Sequence, residues 1–132
     1  MIVTAQVENI LNRNLVSVQT NGTSQVLNIS GKVTGYGSAV NGGELLCAAI
    51  ATCYCNDIYR EAGKRNIKIT KVLVEASAEF LAEGAPGGNI AYRAKIEGEA
   101  TDEELINLLR HTDKGAEIQN TLRAGVQVTF VH

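Results

Sequence analysis

The sequence predicts one α+β domain, an antiparallel-rich sheet packed against a long central helix. Three observations predict it. Apolar residues alternate with period two in several short stretches, the pattern of half-buried strands. Asn21-Gly22 joins two of these stretches with the strongest short hairpin signal, because both residues tolerate positive φ. Leu45 to Tyr54 is apolar almost all round, as in a helix placed inside a protein. The order is three strands, long helix, two strands, one or two helices, strand, and this order defines the class. A chain of 132 residues fits a single domain over 1–132.

Val3, Ala5 and Val7 alternate with Thr4, Gln6 and Glu8 and predict a first strand over 3–8. Leu15 to Thr20 is the second strand, and Ser24 to Ser30 returns from the hairpin. Residues 31–43 hold five glycines and read as a connection with a short extended piece at Lys32 to Tyr36. The long helix is expected from Gly43 to Ala62, capped by Asn41 or Gly42. Glu44 in its first turn favours the positive end of the dipole, and Gly63 is placed as a left-handed stop. Ile67 to Leu81 is a long strand whose inward parity switches between Ile69 and Val72. That switch predicts a bulge near Thr70 or Lys71.

Glu83 to Gly88 is a turn, and Ile90, Tyr92, Ala94 and Ile96 alternate cleanly after it. Thr101-Asp102-Glu103-Glu104 is a capping box that opens a helix to about His111. A helical turn over Lys114 to Arg123 and a closing strand through Val126, Val128 and Phe130 complete the chain.

Composition excludes several function classes. The formal net charge is -2 and Glu61 and Glu75 flank the basic residues Lys64, Arg65, Lys68 and Lys71, so nucleic acid is not an expected partner. No run of apolar residues is long enough to span a membrane, and Met1 to Ile10 lacks a secretory pattern. Three cysteines without framework spacing suit free thiols in a reducing cytoplasm. Two histidines and no Cys-x-x-Cys give no metal motif, and no cofactor is expected.

All three cysteines lie on the long helix, at Cys47, Cys53 and Cys55. At about 100° per residue, Cys53 and Cys55 point roughly opposite ways, and Cys47 stands about 120° from Cys53. They form no single cluster and close no disulfide while the helix is intact. Each is either packing material or a shielded redox thiol. The helix dipole offers Cys53 little, ten residues from the start. Asp57, if close, raises its pKa. Arg60 is nearly on the same face, two turns on. His111 reads as a partner for a helix C-terminus rather than as a base.

The element order and the run Glu44-Leu45-Leu46-Cys47-Ala48-Ala49-Ile50-Ala51-Thr52-Cys53-Tyr54 together resemble the OsmC/Ohr family of osmotically inducible and organic-hydroperoxide-resistance proteins. Ile118 to Leu122 resembles the end of that family's second motif. The resemblance implies an OsmC-like fold with a curved sheet in an intertwined homodimer, with two sites at the subunit interface. It implies a first cysteine that attacks the peroxide O–O bond, here Cys53, with Glu44 and Arg13 as its expected helpers. It implies an external thiol reductant and an organic hydroperoxide or small hydrophobic ligand.

The departures are specific. Ala116 stands where the resolving cysteine belongs and Glu117 where its proline belongs. The two-cysteine cycle therefore cannot run, and an OsmC-like branch lacking the second cysteine is implied. Glu44 is nine residues before Cys53, where the family's hydroperoxidases place a glutamate ten before. Two functions follow as expectations: a one-cysteine hydroperoxide reductase in stress response, or a non-catalytic dimeric scaffold with a ligand in its interface pocket.

Overall fold

The computed structural model describes residues 1–132, which divide into an N-terminal unit, Met1–Leu45, and a C-terminal unit, Leu46–His132. In the first, β1 (Val3–Ile10), β2 (Arg13–Thr20) and β3 (Thr23–Leu27) form an antiparallel sheet in that order. Asn21 and Gly22 turn the chain with φ of 48° and 88°, and Thr20 pairs with Thr23, as the hairpin signal requires. β3 stops at Leu27 instead of Ser30. The Ile29 N–H turns back to the Leu27 carbonyl, and the Asn14 side chain takes the Ile29 carbonyl in place of a ladder partner.

The glycine-rich connection does not hold the expected extended piece at Lys32 to Tyr36. Its pairing is a single bridge between Gly31 and Ser38. The loop is instead stitched to the β1–β2 turn. Asn12 exchanges two hydrogen bonds with Gly35, and Asn9 Oδ1 accepts from the Gly37 N–H at 2.8 Å. Gly35 and Gly37 take φ of 96° and 106°, where side chains are strained.

Helix α1 runs Gly42–Lys64. Asn41 Oδ1 accepts from the Glu44 N–H at 2.8 Å, and Glu44 Oε1 accepts from the Asn41 N–H at 3.3 Å. This reciprocal cap satisfies two donors that an open helix end leaves free. Gly63 is not the left-handed stop. The helix passes through it to Lys64, and Asn66 takes positive φ at 56°. The Ile67 N–H then closes onto the Ala62 carbonyl at 2.9 Å. Asparagine tolerates that conformation, while Gly63 stays helical.

In the C-terminal unit, Tyr54, Ile58 and Ala62 form one buried stripe at helical spacing with Leu108 and Ala116. Val72, Val74, Tyr92, Ala94 and Ile96 pack against it. The apolar-all-round stretch is buried on one side only, because Leu45, Ala48 and Ala49 remain exposed in the single chain.

β4 (Ile69–Glu79) and β5 (Gly88–Gly98) form a two-stranded antiparallel sheet. The register shifts between Ile69 and Lys71, where the parity switch predicts a bulge. Gly98 faces Ile69. A Cβ there would stand 2.6 Å from the Lys68 carbonyl oxygen, so the strand end admits only glycine without a shift.

α2 (Asp102–Lys114) opens with the full capping box of Thr101 and Glu104 and runs three residues beyond His111. α3 (Glu117–Ala124) ends at Gly125, with φ of 62°. The expected closing strand is absent. Val126, Val128 and Phe130 are exposed and outside any sheet. Alternation makes a segment fit for a strand, but only a neighbour's hydrogen bonds make it one, and neither sheet of the chain supplies them.

Candidate functional site

Cys53 projects from α1 one turn before the buried Asp57. Its Sγ donates toward Asp57 Oδ2 at 3.6 Å and toward Glu117 Oε2 at 3.8 Å. Glu117 opens α3, so the site joins the middle of the long helix to the start of the last one. The Arg60 guanidinium closes the group, with Nη1 3.0 Å from Asp57 Oδ1 and 3.3 Å from Glu117 Oε1. The helical spacing explains the first half: positions 53, 57 and 60 fall on one face of a helix with 3.6 residues per turn.

Electrostatics at the sulfur run against a resting thiolate. Burial pushes the Cys53 thiol above its ordinary value, and the Asp57 and Glu117 charges add to this. The Ile118 backbone N–H pulls the other way. Burial also raises the Asp57 carboxyl, opposed by Arg60. The Glu117 carboxyl is lowered, first by its own backbone N–H at the helix start and then by Arg60. The thiol is thus held in its protonated form and hydrogen-bonded to two carboxylates.

The three donors Cys53, Asp57 and Glu117 lie within 4.8 Å of one another, a spacing a cation could bridge. The Arg60 guanidinium already meets the charge of both carboxylates. Cys47 and Cys55 are free thiols, and neither hydrogen-bonds to the Cys53 group.

Glu44 lies in the N-terminal unit, where its side chain serves the helix cap described above. Arg13 opens β2 in the same unit, opposite Ile10. Arg60, a lesser candidate on sequence, is the cation that the C-terminal unit places at the Cys53 cluster. Ala116, at the position where the resemblance places a second cysteine, is fully buried just before α3. His111 lies in the last turn of α2, as expected, and its Nε2 also meets Glu61 Oε1 at 3.0 Å.

A second polar group escaped sequence reasoning. Tyr92 donates to Asp113, which also accepts from Arg123 Nη2 at 2.7 Å. Tyr54 stacks edge-on against Tyr92 at 4.7 Å and donates to the Leu109 carbonyl at 2.7 Å. Burial, then the Asp113 charge, pushes the Tyr54 hydroxyl up to about 12, so both phenols act as neutral donors. Contacts across 55 residues of chain leave no local signal.

A thiol on a long helix, beside a short C-terminal helix and over an antiparallel pair, defines a thiol-bearing α+β protein. Residues 35–131 match the family described as OsmC-like protein, and the chain belongs to that family. None of the curated protein sequences matches the chain. Solved structures share the fold at low identity. An organic hydroperoxide resistance protein from Elizabethkingia anophelis, with thiocyanate bound, is 19% identical, with a TM-score of 0.65 over 97% of this chain and 92% of that one. An OsmC-like protein from Mycoplasma pneumoniae is 18% identical, with a TM-score of 0.63 over 98% of both chains. An organic hydroperoxide resistance protein OsmC from Legionella pneumophila is 17% identical, with a TM-score of 0.60 over 98% of this chain and 94% of that one.

Proposed function

We propose that the chain is a one-cysteine thiol peroxidase of slow turnover, acting on organic hydroperoxides in stress response as a cytoplasmic homodimer. The observation that carries this reading is the Cys53 thiol, hydrogen-bonded to two carboxylates and facing the Ile118 N–H. Asp57, the carboxyl that burial raises, takes the thiol proton. The sulfur attacks the terminal oxygen of R–O–O–H, the O–O bond breaks, and the proton passes to the leaving alkoxide. Cys53 becomes a sulfenic acid and the peroxide becomes an alcohol. Two equivalents of an external thiol then return Cys53 to the thiol, releasing water and a disulfide. No residue at 116 can resolve the sulfenic acid within the chain. Arg60 steadies the carboxylates; Arg13 and Glu44 are proposed as further helpers, reached in the dimer.

No helix is long and apolar enough to cross a membrane. Both units are taken as parts of one OsmC-like domain. Exposure of the Leu45 to Ala49 face and of Val126, Val128 and Phe130 supports a second copy as the partner.

The test is consumption of tert-butyl hydroperoxide with dithiothreitol, together with mass spectrometry after dimedone trapping. Turnover and a dimedone adduct on Cys53 are expected. Both vanish in Cys53→Ser and persist in Cys47→Ser and Cys55→Ser. Undiminished turnover in Cys53→Ser would defeat the assignment.

A second reading is favoured by the raised thiol: a dimeric scaffold that binds a small hydrophobic ligand without turnover. Absence of any adduct under peroxide excess selects it.

A further inference from the structure

The Arg60 guanidinium divides the oxygens of the two carboxylates beside Cys53. Its Nη1 takes Asp57 Oδ1 and Glu117 Oε1. The other two oxygens, Asp57 Oδ2 and Glu117 Oε2, meet the sulfur at 3.6 Å and 3.8 Å. One sulfur and two carboxylate oxygens are thus gathered from α1 and the start of α3, all within 4.8 Å of one another. The two distances from the sulfur match edges of a metal tetrahedron. Bonds of about 2.3 Å to sulfur and about 2.1 Å to oxygen, at the tetrahedral angle, set those atoms about 3.6 Å apart. A single guanidinium also faces two carboxylates, and Asp57 is 5% exposed, where an unbalanced charge is costly.

We propose that Cys53 Sγ, Asp57 Oδ2 and Glu117 Oε2 bind one zinc ion, with water in the fourth position and Arg60 holding both carboxylates from outside. The sulfur selects the class of metal. A thiolate suits zinc, a borderline-soft ion, and not magnesium or calcium, which take oxygen ligands. As the sulfur–zinc bond forms, the thiol proton is released to solvent. Thiolate and two carboxylates then carry three negative charges, zinc and Arg60 three positive ones, and the set is neutral. Arg60 keeps its hold on the outer oxygens, as hydrogen-bonded partners orient the ligands of metal sites. Cys53 is half-buried and the Glu117 side chain is 64% exposed, which gives the ion a way in and leaves the fourth position open to water. A sulfur bound to zinc is withheld from a peroxide, so the metal switches the thiol off. That consequence rests on the proposed peroxidase reading; the binding of zinc does not.

The experiment uses the reduced full chain, freed of added thiol and of metal. Cobalt(II) stands in for zinc, because its visible bands report tetrahedral geometry and its sulfur-to-metal charge-transfer band reports a bound thiolate. Titration is expected to saturate at one cobalt per chain, and added zinc to bleach the bands. Cys53→Ser should lose the charge-transfer band. Glu117→Gln should weaken cobalt binding by at least about tenfold, and Cys47→Ser and Cys55→Ser should change neither. A second measurement needs no variant. Zinc should slow iodoacetamide labelling of Cys53 by at least about tenfold, read by mass spectrometry of each cysteine, and a chelator should restore it. Labelling of Cys47 and Cys55 should not change. The proposal is overturned by an absence of saturable cobalt binding, by a charge-transfer band that survives Cys53→Ser, or by unchanged affinity in Glu117→Gln. Equal protection of Cys53 by magnesium would overturn it too, since it would reduce the site to an acidic surface. The two readings fail separately. Protection by zinc without any peroxide turnover in chelator leaves the metal site standing and removes the peroxidase, whereas turnover that zinc neither slows nor shields removes the metal site.

Discussion

Glu117 adds a smaller push to what burial and Asp57 do to the Cys53 thiol. It occupies the position where the resemblance places the proline after a resolving cysteine, and instead of a second sulfur it brings a carboxylate to 3.8 Å from Cys53 Sγ. A negative charge at that distance favours the protonated thiol. Glu117→Gln removes the charge while keeping a polar side chain on the exposed edge of the site. Alkylation of Cys53 by iodoacetamide at pH 7 is expected to accelerate modestly, since one of the charges that favour the protonated thiol is gone. The measurement is the pH profile of the alkylation rate, whose midpoint should move to lower pH. An unmoved midpoint would mean that burial and Asp57 hold the proton without Glu117.

At the level of elements, α1 and α2 are tied by Glu61. It is nearly buried on α1, accepts from Lys64 Nζ at 2.8 Å, and meets His111 on α2 at 3.0 Å. The Lys64 hydrogen bond does most to lower its carboxyl; burial opposes it, and His111 and Arg60 assist, leaving the group at about 2 against an ordinary 4.5. A carboxyl with a lowered pKa in the folded state binds fewer protons there than in the unfolded chain. Its contribution to stability is complete above about 4.5 and is lost as pH falls toward 2. Thermal unfolding of the wild type and Glu61→Gln should therefore differ most at pH 6, with the wild type higher, and converge by pH 2. A constant gap across that window would show that shape, not charge, distinguishes them. The bulge at Ile69–Lys71 shows an element whose detail was legible: the same switch of apolar parity that marks it in the sequence turns Val72 and Val74 onto the α1 stripe.

For the whole molecule, the unpaired Val126 to Val131 segment and the bare Leu45 to Ala49 face point to assembly. Exposed apolar surface of this kind favours association. Light scattering is expected to give twice the mass of one chain at micromolar concentration, and removal of residues 126–132 to shift the protein toward monomer or aggregate. A monomer at high concentration would remove the homodimer from the proposal.

Strand periodicity, the Asn21-Gly22 turn and the Thr101 capping box determined the order of elements from β1 to α3, because each rests on interactions within a few residues of chain, whereas the same alternation at Val126 to Phe130 made no strand without a neighbour to pair with. The spacing of Cys53, Asp57 and Arg60 likewise put three members of the site on one helix face. The sequence alone did not stop α1, since Gly63 and Asn66 are both competent and only the packing of Ile67 beneath the helix selects one. Nor did it bring Glu117, Ile118 and Gln119 to α1. Those contacts span more than sixty residues, and only the tertiary structure decides which side chains meet across such a distance. That is why the thiol and Asp57 were visible at once, while Glu117 and the Gln119 amide beside it were not.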